Sequence, residues 1–262
     1  MFSKYYSIQK KHVSKQNKYV LFKSFDDSYF SKQNNISLSE LKAQKKKWKE
    51  ALKKYSKKEK TSLDDKSLTS WNALMLKGNL DAYAVFNKEE YLAIVLKNAN
   101  FILENQLEES GKLFHNYKDG KSTINGYLED YAFLSDAFIQ LYQITSDEKW
   151  LYTSKLLIDY TVNNFYDENS KMFFFKSKKD DVLVSKTIDY YDNVIASSNS
   201  VIAKNLFLLS HYFDNKEYKK KASLMLNNLL PKIEENAQFY TNWLDLMLNY
   251  TNPFYEVVIT GK

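Results

Sequence analysis

Apolar positions along this chain recur at helical spacing in pairs of blocks separated by short polar turns. Three segments align without gaps: LDAYAVFNKEEYLAIV from Leu80, IQLYQITSDEKWLYTS from Ile139 and FLLSHYFDNKEYKKKA from Phe207. In this register Tyr91, Trp150 and Tyr218 coincide, as do Asn87, Ser146 and Asp214. The last three are residue types that cap helix N-termini, and Glu90 and Glu217 follow at the capping-box spacing. Each unit is therefore predicted to be a helix, a short turn and a second helix with a capped start. Between units, GKLFHNYKDGKSTING (111–126) and SKMFFFKSKKDDVLVSKTIDYYDN (170–193) begin as alternating aromatic runs and reverse at polar turns. These read as β-hairpins or extended loops. Helical hairpins stacked in order, with long loops always feeding the same helix of each pair, describe an all-α fold of the (α/α) toroid kind. In such a ring the first helices are parallel, line the centre and bring their N-termini to one face.

The pattern predicts about seven or eight helices, and assigns 1–38 to an irregular lead-in and 39–262 to a partial toroid. Composition agrees with a mostly helical chain: 44% of the 262 residues are hydrophobic and only 5 Gly and 2 Pro occur. Without cysteine, disulfides and thiolate chemistry are excluded within the chain. No apolar run is long enough to span a bilayer and the start lacks a signal-peptide core, which predicts a cytoplasmic protein with no membrane partner.

The net charge of +6 is local. Between positions 42 and 60 ten Lys face two Glu, so the remainder is slightly acidic. Leu41, Trp48, Leu52 and Tyr55 recur through this stretch at helical spacing, giving it an ordinary buried stripe and a solvated lysine face. Tracking nucleic-acid phosphates is the less favoured reading, because the chain has no arginine to read bases with a planar fork.

Extending the repeat register backwards shows what occupies the predicted inner-helix N-termini. Trp71, Asp130 and Ser198 are equivalent, followed by Asn72, Tyr131 and Asn199. Asp64, Asp65 and Lys66 lie beside the first, Glu129 beside the second, and Asp189, Asp192 and Asn193 beside the third. Helix N-termini favour anionic groups, so some of these acids serve as caps in the bland reading. Capping alone does not call for Trp and Tyr at the same level.

DDKSLTSWNALM, GYLEDYAFLSDAF, DENSKMFFF and DNVIASSNSV, in this order, resemble the YyaL-like family, whose members join a thioredoxin-like domain to an (α/α) toroid. That toroid is similar to those of N-acylglucosamine 2-epimerases and six-hairpin glycosidases. The resemblance runs from about residue 5 to the end. It implies an incomplete ring, with a thioredoxin-like domain and further helices outside this chain, which stops within EVVITGK as a strand begins. Two departures stand out: the family's PSGNS motif is Ala196-Ser197-Ser198-Asn199-Ser200 here, and the basic segment before the DDK motif carries Lys where the family tends to have Arg.

Three functions remain open. The first is carbohydrate chemistry, hydrolase or epimerase-like, with Asp64, Asp65, Glu129, Asp130, Asp192 and His115 as candidate acids, bases or nucleophiles. In it Lys66, Trp71, Asn72, Tyr131 and Asn199 bind a saccharide ligand, and Tyr127 and Tyr190 add apolar faces. The second is a non-catalytic module that binds a glycan or protein partner, and the third is the phosphate-tracking role. An epimerase using two histidines is poorly served, since His12 and His211 fall away from the face that carries His115. No metal-ligand spacing, dinucleotide fingerprint or phosphate loop occurs, so no metal or cofactor is expected.

Overall fold

A computed structural model describes residues 1–8, 21–56, 63–181 and 186–257. His12, residues 57–60 of the lysine run, residues 182–185 of the second long loop and all of EVVITGK beyond Val257 lie outside the described residues. The chain divides into two compact units, Met1–Asp64 and Asp65–Lys262.

In the first unit, α1 (Phe2–Tyr5), α2 (Asp27–Gln33) and α3 (Leu38–Ser56) bury Tyr5, Phe30 and Leu41, with Tyr6, Ile36 and Trp48 packed against them. α3 starts with a reciprocal capping box: Glu40 N–H donates to Ser37 Oγ (3.1 Å) and Ser37 N–H to Glu40 Oε2 (2.8 Å). α3, read from the sequence as the start of the toroid, belongs to this unit. Its stripe is buried at Leu41 and packed at Trp48, whereas Leu52 and Tyr55 are exposed, so the apolar spacing runs beyond what is covered.

The second unit is a series of helical hairpins. α4 (Thr69–Phe86) pairs with α5 (Glu89–Asn105), α6 (Leu128–Thr145) with α7 (Glu148–Phe165), and α8 (Ser198–Tyr212) with α9 (Lys216–Asn236). A 3-10 turn, Ala237–Phe239, leads to α10 (Thr241–Thr251). The first helices pack in series, α4 on α6, α6 on α8 and α8 on α10, while each second helix packs outside its own first helix. This is the (α/α) toroid arrangement, in part-ring form. α6 and α8 are flanked on both sides, and their apolar residues are accordingly buried almost all round. No helix among the described residues is long and apolar enough to cross a membrane.

The turns correct one detail of the sequence pattern. Asn87 and Ser146 are left-handed residues that end α4 and α6 (φ 50° and 57°), and Asp214 (φ 45°) follows the end of α8. The helices after them start one residue later, with Asp147 and Asn215 as side-chain caps of α7 and α9. Asn, Asp and Ser suit both jobs, because a short polar side chain tolerates the left-handed region as well as accepting from a helix N–H.

The long loops carry short strands. β1 (Ser67–Leu68), β2 (Asn116–Lys118) and β3 (Lys121–Ser122) form an antiparallel sheet, and Asp119-Gly120 makes the two-residue turn with both φ positive. The sheet fastens the DDKSL run to the first loop through Ser67 opposite Tyr117. β4 (Tyr166–Asp167) pairs with β5 (Met172–Phe173), and Asn199 anchors that hairpin from α8. Its Oδ1 accepts from Phe173 N–H (2.8 Å) and its Nδ2 donates to the carbonyls of Phe173 and Asp189 (3.0 and 2.7 Å). Asn199→Ala leaves these buried backbone groups unpaired, and thermal denaturation is expected to show a loss of about 3 kcal/mol; an unchanged melting temperature would contradict the anchoring role.

Candidate functional site

The N-termini of α4 and α6 are held together by one carboxylate. Asp130, the third residue of α6, is fully buried. Its Oδ1 accepts from Ser70 N–H at the start of α4 (2.8 Å), and its Oδ2 accepts from Tyr127 N–H at the start of its own helix (2.8 Å). The same oxygen lies 2.9 Å from His115 Nδ1. Two orphan helix amides and an imidazole thus converge on one side chain. His115 is held in turn by its backbone: its N–H donates to Ile124 C=O (2.8 Å), and its C=O accepts from Thr69 N–H (2.9 Å). Gly126 lets the loop close on α6, because a Cβ there would meet Leu113 C=O at 2.7 Å.

The electrostatics follow from this geometry. Hydrogen bonding to Asp130 raises the His115 pKa above its ordinary 6.5, against the downward push of burial. Burial pushes the Asp130 carboxyl up, and its bonds to His115, Tyr127 N–H and Ser70 N–H oppose that push. Asp130 and His115 are held as a hydrogen-bonded pair in which Asp130 favours the protonated imidazole. Nothing among the described residues hydrogen-bonds His115 Nε2, and the ring leans on Tyr127 at 4.7 Å, which itself stacks on Phe175.

Glu129 precedes Asp130 and is half-buried. Burial and the neighbouring Asp130 charge raise its pKa, and Asp189 adds to the push; the Ser70 hydroxyl, donating at 3.3 Å, opposes them. Asp189 is also half-buried and raised, chiefly by desolvation, while Ser198 at the start of α8 donates to it through N–H (3.3 Å). The face thus gathers two carboxyls biased towards holding protons beside the Asp130–His115 pair. His115, Glu129 and Asp130 could hold a cation, since each offers a ligand atom within 4.8 Å of the others. It would compete with the proton on Nδ1.

The other sequence candidates fall into distinct places. Trp71 is exposed at the start of α4. Lys66 is exposed and near enough to His115 for its charge to oppose the imidazolium. Asn72 is partly buried and engaged: its Nδ2 donates to Ser67 Oγ and Leu68 C=O, and its Oδ1 accepts from Asn98. Asp65 is exposed and paired with Lys118, and Asp64 is exposed at the end of the first unit. Three candidates lie within the packing instead. Tyr131 is buried, its hydroxyl accepting from Leu113 N–H (2.8 Å). Asn199 is the anchor described above. Asp192 is buried and accepts from Ser197 N–H, Ser200 Oγ and, across to α10, Asn242 N–H. It repeats between α8 and α10 what Asp130 does between α6 and α4. The Tyr190 hydroxyl accepts from Lys232 Nζ (2.8 Å). Ser70 was not singled out by spacing; Asp189 was placed at the third polar entrance by the repeat register but was not among the candidate acids or bases.

A family model described as beta-L-arabinofuranosidase, GH127 catalytic domain, matches residues 11–207. The chain belongs to this family. An uncharacterised protein of Caenorhabditis elegans is 28% identical to this GH127-type chain over 221 residues, covering 81% of it and 30% of the nematode protein. The chain therefore spans less than a third of that relative's length. Among solved structures, a GH76 α-mannanase of Bacteroides thetaiotaomicron superposes with a TM-score of 0.51 at 17% identity, covering 67% of this chain and 46% of its own. Cellobiose 2-epimerase of Bacillus thermoamylovorans gives 0.52 at 16%, covering 62% and 44%. At these identities the likeness is one of fold, and with the family match it makes this GH127-type chain a carbohydrate-related toroid.

Two expectations follow from the electrostatics. In an NMR titration the His115 ring should titrate above 6.5 in the wild type and fall towards the ordinary value in Asp130→Asn. Because its folded pKa is raised, the stabilisation from this pair is full below pH about 6.5 and is lost as pH rises through the folded value. A His115 titration unaffected by Asp130→Asn would contradict the pairing. Glu129 has the opposite consequence: a carboxyl raised by burial costs stability once pH exceeds its unfolded pKa. Glu129→Gln is therefore expected to raise the melting temperature at pH 7 and to bring little change at pH 3.

Proposed function

We propose that the N-terminal face of the inner helices binds a saccharide and that Glu129 is its general acid, in the manner of a glycoside hydrolase. The observation that carries the proposal is the half-buried Glu129 carboxyl, pushed towards its protonated form at the centre of a helical part-ring. Cleaving a glycosidic bond needs one protonated carboxyl to give its proton to the leaving oxygen and a second, ionised one to activate water or attack the sugar. Glu129 is assigned the first role and Asp189 the second. The Asp189 charge adds to the upward push on Glu129, which helps keep Glu129 protonated when Asp189 ionises.

The remaining groups fit recognition. His115, whose Nδ1 is held by Asp130, presents Nε2 to a sugar hydroxyl. The exposed indole of Trp71 supplies an apolar face for a sugar ring, and Lys66 a donor at the rim. An epimerase using two histidines is not favoured: His211 ends α8 at the opposite end of the helix and pairs with Glu256 (2.7 Å). The names of the family and of the solved toroids support a glycosidic ligand for this chain. The finer kinship with YyaL-like proteins, with a thioredoxin-like domain in the full-length protein and a cytoplasmic location, belongs to the same proposal and is supported by the motifs quoted above.

The test is hydrolysis of a panel of aryl glycosides that begins with the β-L-arabinofuranoside, together with saccharide binding by calorimetry. Glu129→Gln is expected to lose roughly 100-fold or more in kcat while retaining saccharide binding, and Trp71→Ala to weaken binding. Turnover unchanged in Glu129→Gln, or absence of both binding and turnover in the wild type, would overturn the proposal.

A further inference from the structure

The entrance to α6 carries an ammonium group that the proposed reaction does not use. Lys176 is half-buried, and its Nζ lies over the Tyr127 ring, 5.7 Å from the centroid. Its stem leaves from a fixed point. Phe175, the preceding residue, accepts from Leu128 N–H in the first turn of α6 (2.9 Å), donates to Thr187 C=O (2.8 Å) and stacks on Tyr127 at 5.1 Å. Among the described residues no carboxylate pairs with the Lys176 ammonium. His115 leans on the same Tyr127 ring at 4.7 Å. With Nδ1 held by Asp130, its Nε2 has no partner among the described residues and is not sealed from solvent, so a ligand can reach it. Lys66 adds a second ammonium, close enough for its charge to act on His115. The acids of the entrance oppose these groups only weakly. Asp130 is bonded by Ser70, Tyr127 and His115, Glu129 is biased towards holding its proton, and Asp189 is bonded by Ser198 at the start of α8. Residues 65–262 hold 26 Asp and Glu against 21 Lys, so this gathering of ammonium groups runs against the charge of its own unit.

We propose that the saccharide taken at this face is acidic, a uronate whose carboxylate pairs with the Lys176 ammonium while a hydroxyl of the same sugar meets His115 Nε2. The inference rests on the reading of this face as a saccharide site and names the class of sugar. Both groups lie against one aromatic ring, so a single sugar residue can meet both. Tyr127 and Glu129 flank Leu128 at the start of α6, which brings the cation and the assigned general acid to the same helix entrance. A carboxylate suits the donors better than a phosphate does. A phosphate at a helix start draws on the first-turn amides, and here Leu128 N–H is taken by Phe175 C=O, Tyr127 N–H by Asp130 and Asp130 N–H by Tyr127 C=O. What is left is a lysine point charge and an imidazole nitrogen, enough for a monoanion.

Calorimetry on the 262-residue chain compares methyl uronides of gluco, galacto and manno configuration, each against its own uncharged methyl ester and against the corresponding sugar 6-phosphate. At least one uronate is expected to bind about tenfold or more tightly than its ester at low ionic strength, with the gap narrowing as salt is added. Lys176→Ala should remove the gap and leave ester binding unchanged, and Lys176→Arg should keep it; circular dichroism checks that both variants fold. Lys216→Ala, at the start of α9 and so away from the inner-helix N-termini, should leave the gap intact. Esters that bind as tightly as the acids throughout, a gap that survives Lys176→Ala or falls equally in Lys216→Ala, or a preference for the phosphates would each overturn the inference. Esters that bind without any advantage of the acids would sink this inference alone, whereas binding of neither acids nor esters would also contradict the saccharide site on which it rests.

Discussion

Asp130 is the side chain on which the rest of the site depends. A carboxylate buried without donors would be costly, and here two helix N-termini and an imidazole supply them. The consequences run in both directions. Helices α4 and α6 are fixed level with one another, so Ser70, Glu129 and Asp130 share one plane of the ring. The same charge lifts His115 towards the imidazolium form and adds to the upward push on Glu129. Removing the charge would therefore alter position and protonation together.

Among the described residues a buried aspartate serves as a strap twice. Asp192 joins the start of α8 to that of α10 with the same chemistry, accepting from the second residue of the neighbouring helix as Asp130 does. Only the Asp130 strap has a histidine and a half-buried glutamate beside it. That contrast separates the part of the polar face that holds helices together from the part that is available for acid–base work, and it follows from what surrounds each carboxylate rather than from residue type.

Much of the fold was legible because the three-unit register rests on periodicity, which is a local property of the chain. The helical hairpins, the long loops before α6 and α8, and the convergence of inner-helix N-termini all follow from it. The turn residues were misplaced by one position, since Asn, Asp and Ser serve both the left-handed end of one helix and the cap of the next. The roles of Tyr131, Asp192 and Asn199 were not legible. Each bonds to backbone in another element, at separations of 18, 50 and 26 residues, and spacing along one helix does not report partners that far away. Asp189 was placed at the third entrance but given no role, and Ser70 escaped notice, for the same reason: their relation to Glu129 exists only once three helix entrances stand side by side.

The account places a saccharide against Glu129, Trp71 and His115, and a crystal structure of the chain with a bound arabinofuranoside or oligosaccharide tests it most directly. Sugar density with its glycosidic oxygen in hydrogen-bond reach of the Glu129 carboxyl is the expected result. A saccharide bound at another surface, with the Glu129 face empty, would contradict it.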